Sequence, residues 1–226
     1  MDRKYKQIKQ IVEKELTGAD SAHNIDHVTR VYNLALYLTK KEKDIDLNVL
    51  KTAVLLHDIA RVKEDKDNTG KTCHAELSSR MAKKILRKLD YSEEEIKKIT
   101  HCILAHRYRS GIKPETREAK ILFDADKLDS LGAIGVARSF IWVGKNNAKI
   151  YTDENINKYI EDNLGGKING RIQNKTKHST NIEFETKLKF LPQKMHTSQG
   201  IKIAKERIKY FEGFLIRLKK EIKGRK

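Results

Sequence analysis

The chain has 226 residues, with 48 Lys and Arg against 31 Asp and Glu, a net charge of +17 at neutral pH. No apolar run approaches the roughly 20 residues that a membrane-spanning helix needs, and Met1-Asp2-Arg3-Lys4 leads into a polar stretch unlike a signal peptide, so the expectation is a cytoplasmic protein with no membrane partner. The two cysteines, Cys73 and Cys102, have no CxxC or zinc-knuckle spacing and read as free thiols in a reducing setting.

With 2 prolines and apolar residues recurring every three or four positions, the chain reads as all-α. An opening helix is expected over 2–17, with Tyr5, Ile8, Ile11, Val12 and Leu16 on one side. After "TGADSAHN" a second runs over about 26–41, with Val28, Val31, Leu34, Ala35 and Leu38 facing inward. A third, 47–61, is buried in its middle at "AVLL". Beyond the polar loop "KEDKDNTGKT" comes a helix of about 74–89 carrying Leu77, Met81, Ile85, Leu86 and Leu89. Ser92 and Glu95 form a capping box that opens a helix reaching His106. Residues 116–143 form the next helical stretch, mostly apolar and small. The segment 164–181, rich in Gly, Asn and Lys, reads as a mobile loop. A short helix around 182–191, then Pro192, precede a long amphipathic helix of about 199–222. The expected organisation is one domain, 1–226: a core of about 20–145 and an extension, 146–226, that carries a loop and the last helix.

The net charge suits any anionic partner: nucleic acid or a phosphorylated small molecule. The lysines are scattered through nearly every segment, and no zinc-finger, basic-zipper or RNA-recognition pattern gathers them.

One stretch is chemically anomalous. "LKTAVLLHDIARV", Leu50 to Val62, places His57 and Asp58 inside an apolar run. An unpaired carboxylate there costs several kcal/mol or more, so the pair needs a compensating partner. His23, His27, His74, His101 and His106 also fall near element ends or in buried helices, and Asp124, Asp126 and Asp129 sit in an apolar, small-residue segment. A divalent metal offsets the desolvation of such ligands.

"HNIDHVTRV", "LLHDIAR", "HAELSSRMAKKIL", "ITHCILAHRYRS" and "ILFDADKLDSLGAIGVAR", in this order, resemble the HD-domain metal-dependent phosphohydrolases over residues 20 to 143. The later "STNIEFETKLKFLPQKMHTSQGIKIAKERIKYFEGFL" resembles a bacterial and archaeal subgroup similar to nucleoside-triphosphate pyrophosphohydrolases. The resemblance implies an HD-type helical bundle with a C-terminal loop and helix extension. It also implies His27, His57, Asp58 and Asp126 as ligands of one divalent transition metal. Two nitrogens and two oxygens favour Mn²⁺, with Co²⁺, Ni²⁺, Fe²⁺ or Zn²⁺ as alternatives, over an all-oxygen Mg²⁺ site.

Among relatives, histidines placed like His74 and His106 either contact phosphate and donate a proton or bind a second metal. The first role is expected here, since two-metal relatives usually carry an adjacent His pair. Asp129, one turn past Asp126, is a candidate for orienting a ligand or water, and Asp124 for a helix cap. Arg30, Arg61, Lys127, Lys187 and Arg207 are the expected phosphate contacts, and Arg107 and Arg109 follow His106. His101 is expected to pack or hydrogen-bond. Glu64, His178 and His196 read as surface residues.

The resulting expectation is a hydrolase acting on a nucleotide phosphate ester or anhydride. The alternatives are a phosphodiesterase acting on cyclic nucleotides or RNA, a nucleic-acid-binding module retaining the metal site, and a two-metal oxidative enzyme. A homo-oligomer is compatible with the apolar face of the last helix.

Overall fold

A computed structural model describes residues 3–67, 69, 71–107 and 111–225. Among these residues no strand forms, and one isolated parallel bridge joins Lys149 and Ser179. Among the described residues no helix is long and apolar enough to cross a membrane. The chain groups into two compact units, Met1–Asp126 and Lys127–Lys226.

The first unit holds α1 (Arg3–Glu15), α2 (Ile25–Thr39), α3 (Leu47–Leu56), α4 (Arg61–Lys66), α5 (His74–Lys88), α6 (Glu93–Ala105) and most of α7 (Arg117–Leu128). Helix α3 is its axis. Val49, Leu50, Ala53, Val54, Leu55 and Leu56 are all buried, so the helix is enclosed along most of its length while Leu47 and Asn48 in its first turn stay exposed. Helices α1, α2, α5 and α6 pack around it, donating Ile8 and Val12, Val28 and Val31, Ala82 and Leu86, and Ile99 and Ile103 to the core. Asp46 caps α3 by accepting from the amides of Asn48 and Val49, both at 3.0 Å.

The helix expected over 47–61 divides. Helix α3 stops at Leu56, and tight turns follow: the amide of Ile59 donates to Leu56 O and that of Arg61 to Asp58 O at 2.8 Å. His57, at the end of α3, and Asp58, in the turn, place Nε2 and Oδ2 3.8 Å apart.

The second unit contains the remainder of α7, then α8 (Gly132–Lys145), α9 (Ile156–Leu164), α10 (Thr180–Thr186), a 3₁₀ segment (Leu188–Lys194) that accommodates Pro192, and α11 (Ser198–Ile222). Phe211 is fully buried on α11 and stacks on Phe184 at 5.4 Å between ring centroids. The periodicity of 116–143 misses the break at Ser130–Leu131. There Gly132 takes φ +68°, a left-handed conformation that favours glycine.

The segment expected to be mobile is instead tied down. The amides of Gln173 and Asn174 donate to Asn163 O and Oδ1, and the Asn163 side chain donates back to Asn174 O at 3.0 Å. His178, expected on the surface, is 2 % exposed. Its Nδ1 lies 2.7 Å from the Tyr159 hydroxyl and its Nε2 lies 3.1 Å from Glu183, while the Trp142 ring stands edge-on to it. His178 survives burial because both of its ring nitrogens have partners. His196 is exposed, as expected.

Burial pushes the Tyr159 phenol up to about 12. A phenol raised above its ordinary value near 10 stabilises the fold fully below pH 10, and that contribution fades as pH climbs through about 12. Alkaline unfolding followed by circular dichroism should therefore show a loss of stability across that window which Tyr159→Phe removes. An unchanged alkaline limb in the variant would assign the loss to other groups.

Candidate metal centre

Four helices and one turn of the first unit converge on a buried set of imidazoles and carboxylates. Asn24 caps α2 by accepting from the Asp26 amide, which places His27 in the first turn, fully buried. His57 and Asp58 come from the turn after α3, His74 opens α5, His106 ends α6, and Asp126 lies near the end of α7.

The four ligands implied by sequence are brought together. His27 Nε2 lies 3.3 Å from His57 Nε2, 3.6 Å from Asp58 Oδ2 and 3.5 Å from Asp126 Oδ1. His57 Nε2 is 3.8 Å from Asp58 Oδ2 and 4.0 Å from Asp126 Oδ1. Two ligands held about 2.1 Å from one ion at 90–110° stand about 3.0–3.5 Å apart, so most of these spacings are close to those of a coordination sphere.

The other oxygen of Asp58 faces a second pair. His74 Nε2 is 3.3 Å and His106 Nε2 3.4 Å from Oδ1, and the two Nε2 atoms are 3.3 Å from each other. Two triads thus share one carboxylate.

The remaining ring nitrogens fix which atoms face inward. His57 Nδ1 meets the Val54 carbonyl at 2.7 Å and His106 Nδ1 meets the Ile103 carbonyl. A carbonyl only accepts, so each Nδ1 carries a proton, and in the neutral ring Nε2 offers its lone pair inward. His74 Nδ1 likewise meets Glu64 Oε2, at 2.6 Å. Asp58 Oδ1 is buried with no hydrogen-bond partner.

Lone pairs of imidazole and carboxylate converging without a donor fit a cation, and this donor set suits a divalent transition ion. Burial alone would raise Asp58, yet His57, His74 and His106 hold it well below the usual carboxylate range. Burial lowers His57, against the opposing pull of Asp58.

Glu64, expected at the surface, is the hub of a second layer. It accepts from Arg61 Nη1 at 2.8 Å and from the His74 amide at 3.3 Å, and it pairs with Arg107 Nη1 at 3.0 Å. Burial pushes the carboxyl up, but the His74 bond and the charges of His74, Arg61 and Arg107 bring it down to about 2. The signal was masked because Glu64 sits in the charged run "KEDKD", where its neighbours are solvated. A carboxylate that orients a ligating histidine is commonly worth 10–100-fold in metal affinity. Where His74 is itself a ligand, Glu64→Ala should weaken Mn²⁺ binding by about that factor in a calorimetric titration, and unchanged affinity would exclude His74 from the ligand set.

Of the expected phosphate contacts, Arg61 lies at this site, its Nη1 3.3 Å from His74 Nδ1. Arg30 is half-buried on α2, one turn after His27. Arg109 lies outside the described residues, whereas Arg107 lies within them. Lys127, Lys187 and Arg207 belong to the second unit. There Lys187 pairs with Glu183, and Arg207 donates to Leu128 O at 2.6 Å, its stem against Gly132.

Asp129, also in the second unit, is buried and accepts from Arg138 at 2.7 Å. Arg138 is a partner that motif reading did not single out. Asp124 lies fully buried in the middle of α7 and is not a helix cap. His101 accepts from the Glu115 amide at 3.1 Å, in line with its expected packing role.

These observations coincide with what the chain is similar to. The HD domain family model matches residues 24–131, a span that includes His27, His57, Asp58, His74, His106 and Asp126. The chain belongs to the HD-domain family. A Bacillus subtilis protein described as uncharacterized, YpgQ, is 30% identical over 222 residues, covering 96% of this chain and 93% of its own length. The crystal structure of Bacillus subtilis YpgQ in complex with ADP superposes with a TM-score of 0.69 at 27% identity, covering 96% of this chain and 97% of that one. A Bacillus thuringiensis protein described as an HD-superfamily hydrolase superposes with a TM-score of 0.63 at 26% identity, covering 97% of both chains.

Proposed function

We propose that this HD-family hydrolase is a metal-dependent phosphohydrolase whose substrate is a nucleotide, cleaved at a phosphate ester or anhydride. The observation that carries the reading is the convergence of imidazole and carboxylate lone pairs around Asp58, with no donor supplied to its Oδ1. The ADP complex of YpgQ supports a nucleotide as ligand. Within that class, a nucleoside triphosphate cleaved to release pyrophosphate is the finer proposal.

His27, His57, Asp58 and Asp126 would hold the ion. When bound, a divalent cation supplies Lewis acidity toward a phosphoryl oxygen and lowers the pKa of water. Arg61 brings a guanidinium to the rim, where its planar fork can pair with phosphate oxygens. His74 and His106 stand on the opposite oxygen of Asp58, and a protonated imidazole there can deliver a proton to a leaving oxygen.

A second reading has its own observation. His74, His106 and Asp58 form a triad as compact as the first, and the tautomers set by Glu64 and Ile103 turn both Nε2 lone pairs inward. His74, His106 and Asp58 would then hold a second ion, Asp58 offering one oxygen to each triad. Metal analysis of the dialysed protein separates the readings: one equivalent per chain favours the proton-donor role, and two favour the second ion.

The test of the main proposal is release of phosphate and pyrophosphate from a nucleotide panel covering ribo and deoxy, mono- to triphosphate and cyclic forms. It is run with Mn²⁺, Co²⁺, Ni²⁺ or Mg²⁺. Metal-dependent release identifies the bond broken. Silence across the panel by protein that still binds metal would overturn the nucleotide assignment.

A further inference from the structure

The first unit has a second concave site that shares no residue with the centre around Asp58. A cavity of about 370 Å³ is lined by Lys4, Tyr5, Tyr32, Asn48, Lys51, Thr52, Tyr91 and Glu95. Its residues come from α1, α2 and α3, from Tyr91 just before α6, and from the first turn of α6. The volume falls at the small end of the ~300–1,000 Å³ range of small-molecule sites.

The lining is specific in character. Three of the chain's 8 tyrosines meet in this one cavity. Tyr5 and Tyr32 stand edge to face with centroids 5.9 Å apart, and Lys4 Nζ sits 4.6 Å from the Tyr91 ring centroid while donating to Asp90 O at 2.9 Å. Lys51 brings a second ammonium, and Asn48 an amide with both a donor and an acceptor. The one acid, Glu95, is committed to the capping box: its Oε2 accepts from the Ser92 amide at 2.9 Å and from the Ser92 hydroxyl at 2.8 Å.

Aromatic walls favour a planar ring, two lysines favour an anion, and a volume at the small end of the range favours a compact ligand. We propose that this cavity is a second ligand site, taking a planar aromatic anion of the size and charge of a nucleoside monophosphate. The site stands apart from the hydrolase reading and needs no metal. Tyr32 lies five residues beyond His27 on α2, and Thr52 lies five residues before His57. At about 1.5 Å per residue, each is about 7.5 Å along the chain axis from a histidine of the metal centre. The two sites share no residue, and both draw on α2 and on α3 with the turn that follows it.

The test is calorimetric titration of the intact protein in EDTA with AMP, GMP, CMP and UMP, and with adenosine and inorganic phosphate as partial probes. Expected is one equivalent of at least one nucleoside monophosphate per chain, with adenosine and phosphate each binding at least tenfold more weakly. Lys51→Glu should weaken the interaction at least tenfold, and Lys51→Ala in the same direction by less, with circular dichroism confirming that both fold. His57→Ala/Asp58→Ala should leave it unchanged. No monophosphate binding in EDTA, binding indifferent to Lys51→Glu, or binding lost with the His57/Asp58 pair would each overturn the proposal. Failure here leaves the metal-dependent release assay untouched, and failure there leaves this titration untouched.

Discussion

Asp58→Ala is expected to abolish metal-dependent phosphate release, lowering kcat/KM by about 10³-fold or more, equivalent to about 4 kcal/mol of transition-state stabilisation. Both oxygens of this carboxylate face imidazole pairs: Oδ2 lies 3.6 and 3.8 Å from His27 and His57, and Oδ1 lies 3.3 and 3.4 Å from His74 and His106. Removing it leaves four buried imidazoles with one fewer anion among them, so metal affinity should fall with activity. Release kinetics from the nucleotide panel, paired with metal analysis of the purified variant, check this. Retained activity with full metal content would show that Asp58 serves only the packing of its turn. Asp58→Asn separates charge from shape, since the amide keeps the volume and loses the anion.

Phe211→Ala should cost about 3–5 kcal/mol of stability, the usual range for emptying a buried phenylalanine site. Phe211 is fully buried on α11, lies against Phe184 with the rings 25° apart, and packs beside Gly135. The fold around it is crowded and cannot close over the void without moving α8 or α10. Urea unfolding monitored by circular dichroism measures the loss. A change below about 1 kcal/mol would mean that the second unit collapses into the vacated volume more freely than close packing allows.

The helical character of the chain was legible because its apolar residues keep the helical period. Ile8 and Val12, Val28 and Val31, and Ala204, Phe211 and Leu215 all occupy the buried faces that the period assigns them. The His57–Asp58 doublet was legible because polar residues inside "AVLLHDIA" have no packing rationale. Boundaries set by tertiary partners were not legible. The run 47–61 carries an unbroken helical pattern, yet the helix gives way to turns where His57 and Asp58 meet the histidines of other helices.

Glu64 and His178, both expected at the surface, were misplaced for different reasons. Glu64 lies in a charged run whose other members are solvated, and its burial depends on Arg61, His74 and Arg107 from three separate places in the chain. His178 lies in a polar, glycine-rich neighbourhood that composition assigns to solvent. It is buried because Tyr159, Glu183 and Trp142 close around it. Which polar side chain finds partners is a property of the assembled fold, and a linear pattern does not encode it locally.

The shared carboxylate at Asp58 also bears on how such a site can change. Residues that touch through a common partner do not contribute additively. An alteration on the His27 and His57 side changes how much negative charge Asp58 presents to His74 and His106, and the reverse holds equally. The four imidazoles therefore behave as a single heritable unit, in which a substitution at one is judged by the identity of the other three. A lineage drifting toward a different ion or a different leaving group would have to move them in concert.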